Sequence, residues 1–423
     1  MLDLAAAFIA LTAFFTYLNY RFLRLPPTIG VMAVALVLSL LAYGLAWLGY
    51  PVLETEIGQI VRQLDFSEIL MTWFLPALLF AGALHVDLTE LRSYKWPIGL
   101  MATAGVLLST FIIGGVMYYA LAWFGWPTDL IYCLLLGALI SPTDPIAVMG
   151  ILKTSGAPQP LQTTIVGESL FNDGVAVVVF SIMLTVLTEG TVPTAGKIGL
   201  LFVEEAIGGA LLGLALGYLM AFLAGHVEEY QPTVMLTLAL VLGGSAVATH
   251  LHLSAPIAMV VAGLIVGNVA RKRSMTEEER RYVDGFWELI DEILNALLFA
   301  LIGLEILILP FDWLHFAAGV LLALVVLGSR VLTLAPPVLL LRSRSRGAEQ
   351  VSKGTVRILT WGGLRGGISV ALALSLPAGE SRDLLLTLTY VVVLTSILLQ
   401  GLTIGKLVKS LYGDCPADQP PGH

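Results

Sequence analysis

The stretch SPTDP, residues 141–145, interrupts an apolar run that extends from Leu130 to Leu152. Pro142 and Pro145 have no N–H to donate, so the carbonyls of Ala138 and Ser141 lose their helical partners. Each ring also disfavours helical geometry in the residue before it. The helix is therefore expected to break near Asp144. Inside hydrocarbon such a break survives only where other groups satisfy the backbone or where it lines a wet cavity. The freed carbonyls, Thr143 and the Asp144 carboxylate are hard oxygen donors, the ligand type that suits a small cation. The plainer alternative is a structural proline kink whose aspartate pairs with a neighbour.

The surroundings of this stretch are a membrane protein's. Of 423 residues, 57% are hydrophobic and 12% charged, with a mean hydropathy of +0.90, far from the averages of a soluble domain. A spanning helix needs about 20 mostly apolar residues. Thirteen candidates follow: 3–22, 28–49, 66–86, 96–124, 129–152, 160–188, 197–225, 231–251, 254–270, 285–309, 313–341, 356–378 and 384–411. Continuous rather than alternating hydrophobicity predicts an all-α polytopic bundle and not a barrel. The net charge of −8 gives no nucleic-acid surface. Cys133 and Cys415 are too few and too far apart for a disulfide framework or a metal cluster. The first apolar stretch has neither a basic start nor a small-residue cleavage site and reads as a retained helix.

Charge placement sets the orientation. With the N-terminus outside, 17 of the 22 Lys and Arg fall on the cytoplasmic side, only Arg62, Lys197 and Arg382 fall outside, and Arg330 and Arg365 remain within spans. That asymmetry predicts an odd number of spans with the C-terminus cytoplasmic. Spans 1–6 and 8–13 then form two six-helix halves of opposite orientation joined by span 7. SPTDP interrupts the fifth span of the first half, and GGLRGG at 362–367 interrupts the fifth of the second. Paired interruptions at corresponding positions point to a midplane binding site of a transporter.

Span 6 adds GESLFNDG at 167–174. Glu168 and Asn172 share one helical face, and Ser169 and Asp173 form a second pair about 100° away. An Asp at a helix centre costs roughly 2.5–3.5 kcal/mol on insertion scales, so intramembrane acids are functional or paired. Arg330 and Arg365 are two buried cations against Asp144, Glu168 and Asp173, which leaves one carboxylate without a fixed partner. A carboxylate out of water holds its proton more tightly than the usual value near 3.9 allows. It can release that proton to receive a cation, and the two loads compete for one charge.

These segments carry a resemblance. ALISPTDPIAV at 138–148, VGESLFNDGVAVVVF at 166–180, GSRVL at 328–332 and WGGLRGGISVALALSLP at 361–377 resemble the signature segments of NhaP-type sodium/proton antiporters, relatives of the animal sodium/proton exchangers. LPALLFAGALHVDLTELRS at 75–93 and DEILNALLFALIGLEI at 291–306 are similar too. The resemblance implies the NhaA-like fold: thirteen helices, two inverted six-helix repeats with broken helices crossing at the midplane, and a homodimer. It implies dimerisation-part helices 1–3 in residues 1–94, core helices 4–6 in 95–190, a linking helix 7 with dimerisation-part helices 8–10 in 191–310, core helices 11–13 in 311–411, and a short cytoplasmic tail at 412–423. Asp173 is implied as the ion- and proton-binding carboxylate, with Asn172 before it in the asparagine–aspartate pair. In this family that pair goes with electroneutral exchange. Asp144, Thr143 and Ser169 complete the implied ion site, Asp144 sharing the proton-coupling role; Glu168 pairs with Arg330, and Arg365 neutralises the crossing. Only about a dozen residues follow Leu411, so regulation through a long cytoplasmic domain is not carried over.

The expected cargo is sodium, or lithium, against protons, with potassium/proton exchange the nearest rival because oxygen ligands alone do not fix ion size. A cation channel would use the same acids but needs a continuous pore. An enzyme would need a nucleophile and base or metal ligands, and the chain has no HExxH helix and no GxxxxGK[ST] loop. No cofactor, nucleotide or nucleic acid is expected; the expected partners are membrane lipid and a second copy, in a prokaryotic plasma membrane. Other acids read as peripheral. Glu204, Glu205 and Glu305 read as interfacial or dimer-contact groups. Asp284, Glu288, Asp291 and Glu292 read either as an acidic funnel or as acids favouring a helix N-terminus. EEERR at 277–281 reads as a solvated charge run, and His250 and His252, which lie near a loop, as interface histidines in preference to pH sensors.

Overall fold

The computed structural model describes residues 2–48, 69–145, 148–150, 152, 155, 157–190, 194–307, 312–344 and 354–412. The described residues are almost wholly helical, and the only strand-like pairing among them is a single antiparallel bridge between Asp144 and Leu364. In chain order the helices are α1 Asp3–Leu23, α2 Pro27–Trp47, α3 Leu70–Leu84, α4 Leu88–Ser93, α5 Lys95–Trp123, α6 Leu130–Ile140, α7 Gln159–Glu189, α8 Ala195–Ala224, α9 Tyr230–His250 and α10 Ala255–Arg273. There follow α11 Glu277–Glu305, α12 Trp313–Arg344, α13 Thr355–Trp361, α14 Gly367–Leu374 and α15 Glu380–Tyr412.

Nine of these, among the described residues, are long and apolar enough to cross a membrane; α3 and α6 are shorter apolar helices. The span expected over 66–86 is described from Ile69 onward, and the second half of the span holding SPTDP at 148–150 and 152; its remainder, Arg62, Lys153 and the tail with Cys415 lie outside the described residues. The span expected over 129–152 ends its first helix at Ile140, and the span expected over 356–378 divides into α13 and α14. Both divisions fall where proline or paired glycines remove regular hydrogen bonding.

α11 departs from expectation at its start. It begins at Glu277 and not near 285, because Thr276 and Glu279 form a reciprocal capping box that satisfies the first turn's donors. The run 277–281 is accordingly not a uniformly solvated charge run. Glu279 is buried and accepts a 2.6 Å hydrogen bond from Thr233 of α9.

Apolar packing falls into two clusters. The larger involves α1–α7 and α12–α15 with part of α10 and the second half of α11. The smaller joins α3 and α8–α10 around Trp287 of α11, whose indole donates to Thr237. α8 and α10 approach closely because Gly209, Gly213 and Gly217 present backbone to α10; a Cβ on Gly213 would run into the Ala258 carbonyl. Phe14, Tyr20, Leu41, Ile207, Leu211 and Phe222 are exposed along α1, α2 and α8, a surface apolar enough for lipid. Glu305, read from sequence as interfacial, is instead buried within the protein, whereas Glu204 is exposed.

Candidate functional site

The two interruptions meet. Asp144 donates its backbone N–H to the carbonyl of Leu364 at 2.8 Å, tying the middle of SPTDP to the middle of GGLRGG. Breaking α6 leaves the Ser141 carbonyl without an i+4 donor, and Arg365 supplies one. Its Nη1 donates to the carbonyl oxygens of Ser141 and, at 2.7 Å, Pro142. Arg365 is 2% exposed. Beyond any role as a counter-charge for an acid, this arginine directs its Nη1 to main-chain oxygens, because a broken helix C-terminus carries partial negative charge.

The second interruption is shaped by glycine for close approach. A Cβ on Gly366 would collide with the Asp144 carboxylate, which therefore lies against the start of α14. A Cβ on Gly363 would collide with the Arg330 guanidinium. The Arg365 backbone N–H donates at 3.0 Å to Ser396, whose hydroxyl donates at 2.6 Å to Gln400. Both belong to a π-helical turn of α15, Ser396–Gly401, a wider winding that recurs at functional sites.

α7 brings the remaining predicted residues to the crossing. Glu168 and Arg330 form a two-pronged pair: Nη1 to Oε1 at 2.8 Å and Nη2 to Oε2 at 3.1 Å, while Nε donates to the Leu359 carbonyl at 3.1 Å. Both are buried, which fixes the geometry of α7, α12 and α13 together. One turn along, Asn172 donates through Nδ2 to the Thr143 hydroxyl at 2.8 Å and accepts the Thr143 N–H at 3.4 Å. The Thr143 and Ser169 hydroxyls meet at 2.9 Å. Asn172 is thus committed to holding the break, not to facing the cavity.

Asp173 is different. It is 4% exposed, and its Oδ1 has no hydrogen-bond partner. It lines a cavity of about 100 Å³ together with Thr143, Asp144, Asp291, Asn295 and Ser369. Ser169 is absent from that lining, its hydroxyl being turned to Thr143. A buried carboxylate oxygen without a donor is costly and calls for a proton or a cation. The few polar side chains of an otherwise apolar lining leave room beside it for either.

A wider vestibule of about 540 Å³ adjoins this cavity and shares Gly82, Asp291 and Asn295 with it. Glu288, Asp291 and Glu292 line it. Of the four acids read as funnel or helix-start groups, three therefore face the approach to Asp173. Asp284 does not; it pairs with Arg271 at 2.6 Å. Asn295, Ser369, Ser396 and Gln400 were not singled out from sequence, and nothing in their spacing marks them, since isolated small polar residues are common in membrane helices. His250 and His252 are exposed.

The family profile described as sodium/hydrogen exchanger, transmembrane, matches residues 9–410. The chain belongs to the sodium/hydrogen exchanger family. As a member of that family, it is 67% identical over 423 residues to the Na(+)/H(+) antiporter NhaP of Pseudomonas aeruginosa, covering the whole of both chains. It is 35% identical to the antiporter NhaH of Halobacillus dabanensis over 92% of this chain and 93% of that one. Among solved structures, the sodium proton antiporter MjNhaP1 from Methanocaldococcus jannaschii superposes with a TM-score of 0.72 at 20% identity, covering 96% of this chain and 97% of that chain. At that identity the likeness establishes a shared fold: the chain is an all-helical integral membrane protein of this architecture.

Proposed function

We propose that this family member exchanges sodium, and lithium where present, for protons, with Asp173 carrying either load. The observation that carries the reading is the Asp173 Oδ1, buried and without a donor, in a small, largely apolar cavity that Thr143 and Asp144 also line, where the two interruptions meet. Asp144 and Thr143 share that cavity as further cation ligands, with Asp144 also in the proton-coupling role and Ser169 acting through the Thr143 hydroxyl. Asn172, Glu168, Arg330 and Arg365 hold the site in shape. The names and high identity of the relatives support the choice of sodium.

Coupling follows from mutual exclusion. One carboxylate charge binds a proton or a monovalent cation, and either load neutralises it. A loaded site crosses the dry barrier at small cost, whereas a bare carboxylate would cross as an isolated charge. Because Asn172 is neutral and engaged with Thr143, Asp173 is the titrating member of the pair, and exchange of one cation for one proton is electroneutral. The moving part is read as residues 95–190 and 311–411 against a dimerising part of residues 1–94 and 191–310, in a homodimer in the plasma membrane. The N-terminus is outside, so that the acidic vestibule opens to the cytoplasm, and no cofactor is required.

The test is purified protein in liposomes under an imposed pH gradient, challenged in turn with sodium, lithium and potassium while a pH dye is followed. Sodium-driven dequenching that is unaffected by clamping the voltage is expected. Dequenching by potassium alone would change the cargo, and a saturation-free cation current without proton movement would make the protein a channel.

A further inference from the structure

The cavity around Asp173 contains a hydroxyl outside the ligand set above. Ser369 is the third residue of α14, is 1% exposed, and lines the cavity with Thr143, Asp144 and Asp173. Its Oγ has no hydrogen-bond partner.

Several other buried helical hydroxyls are satisfied by the carbonyl one turn back, as Thr12 by Phe8, Ser245 by Val241 and Thr389 by Leu385, whereas Thr360 of α13 also has no partner but does not line this cavity. For Ser369 the residue four back is Arg365, which lies in the interruption, where the chain is not helical. The break that makes the crossing therefore also deprives this hydroxyl of its customary acceptor. An unpartnered buried hydroxyl is unfavourable, and the cost is offset when something in the cavity binds it. Asp144, Asp173 and Asp291 around the same space exclude an anion. A cation is the load that suits a space lined by both the Asp173 carboxylate and the Ser369 hydroxyl.

We propose that Ser369 gives its oxygen to the transported cation, so that the second broken helix supplies a ligand as the first does through Thr143. This rests on the exchange reading above. A serine hydroxyl ligates a metal ion but does not accept the exchanged proton, because its protonated form is far too acidic. Ser369 consequently sets cation affinity without setting proton affinity, and separates the two loads that Asp173 alone holds in common.

The test compares the wild-type protein with Ser369→Ala and Ser369→Thr, reading sodium KM and maximal rate in liposomes and the sodium-dependent rise in melting temperature in detergent. Ser369→Ala is expected to raise sodium KM about tenfold, a loss of about 1.4 kcal/mol. Its maximal rate stays within about twofold, as the proton step is retained. The sodium needed for half the melting shift rises in parallel, and Ser369→Thr returns KM toward the wild-type value. Melting without sodium is unchanged in Ser369→Ala, because no intramolecular hydrogen bond is removed. An alanine variant with unchanged KM and sodium-dependent shift overturns the proposal, as does one that melts lower without sodium while keeping its KM. A wild-type protein stabilised by sodium that moves no protons fails the exchange reading alone; a wild-type protein that sodium does not stabilise overturns both.

Discussion

Arg365, inside the interruption of one helix, donates to the carbonyl oxygen of Ser141, the residue that ends the helix before the other interruption. In the reverse direction the acid of the first interruption, Asp144, packs against Gly366 at the start of α14. Each broken end is met by a side chain of the charge its dipole favours: a cation at a C-terminus, a carboxylate at an N-terminus. The crossing is thereby held by groups that a membrane interior cannot provide through water.

The first consequence is for Arg365→Met. It orphans the Ser141 and Pro142 carbonyls, each worth about 1–3 kcal/mol when left buried and unsatisfied. The variant is expected to melt markedly lower than wild type in detergent. Unchanged melting would mean that these carbonyls find other donors.

Glu168→Gln leaves Arg330 buried without its counter-charge, a loss of about 3–5 kcal/mol by analogy with other broken buried pairs. Removing both charges, in Glu168→Gln with Arg330→Met, recovers part of that loss. A double-mutant cycle on melting free energies measures the coupling, and additive effects would show that the 2.8 Å pair contributes nothing on its own.

Asp173→Asn is expected to abolish cation-driven proton movement while the protein elutes and melts as wild type does, since the orphaned Oδ1 holds no intramolecular hydrogen bond to lose. Exchange at the parental rate would remove Asp173 from the mechanism.

Competition for one charge has a pH signature. Where the carboxylate is mostly protonated, each pH unit of acidification raises the sodium KM about tenfold, or roughly 1.4 kcal/mol. The maximal rate at saturating sodium changes less. A sodium KM independent of pH across the acid limb would separate the two binding events.

Asp291 lines both the vestibule and the inner cavity, whereas Asp284 pairs with Arg271. Asp291→Asn is expected to raise the KM for sodium supplied from the vestibule side severalfold, less so at high ionic strength. Asp284→Asn, which breaks a partly exposed ion pair, leaves that KM unchanged. Equal effects of the two variants would show that the vestibule acts through its overall charge and not through Asp291.

Between α3 and α4, Asp87 caps α4. The Thr89 backbone N–H, then the Thr89 hydroxyl and Lys272, hold its carboxyl down to about 2, from 3.8. A depressed carboxyl stabilises the fold above its unfolded value, and the contribution disappears as pH falls toward 2. Asp87→Asn should therefore melt slightly below wild type at pH 6, with the difference closing on acidification. A difference that persists at pH 2 would assign it to packing.

Sequence alone determined the solvent and the chemistry. Apolar runs of spanning length dictate helices in lipid because unpaired backbone is intolerable there, and the two proline- or glycine-marked interruptions, with their acids and arginines, stand out against that uniform background. Local rules of that kind are legible because each depends on a few adjacent residues. What Arg365 bonds to, which carboxylate keeps an oxygen without a donor, how Glu279 is buried and why the Ser369 hydroxyl has no acceptor were decided by tertiary structure. Each depends on groups that lie as far as 46 and 224 positions apart or on the geometry of a break, and a one-dimensional pattern holds no distance between them.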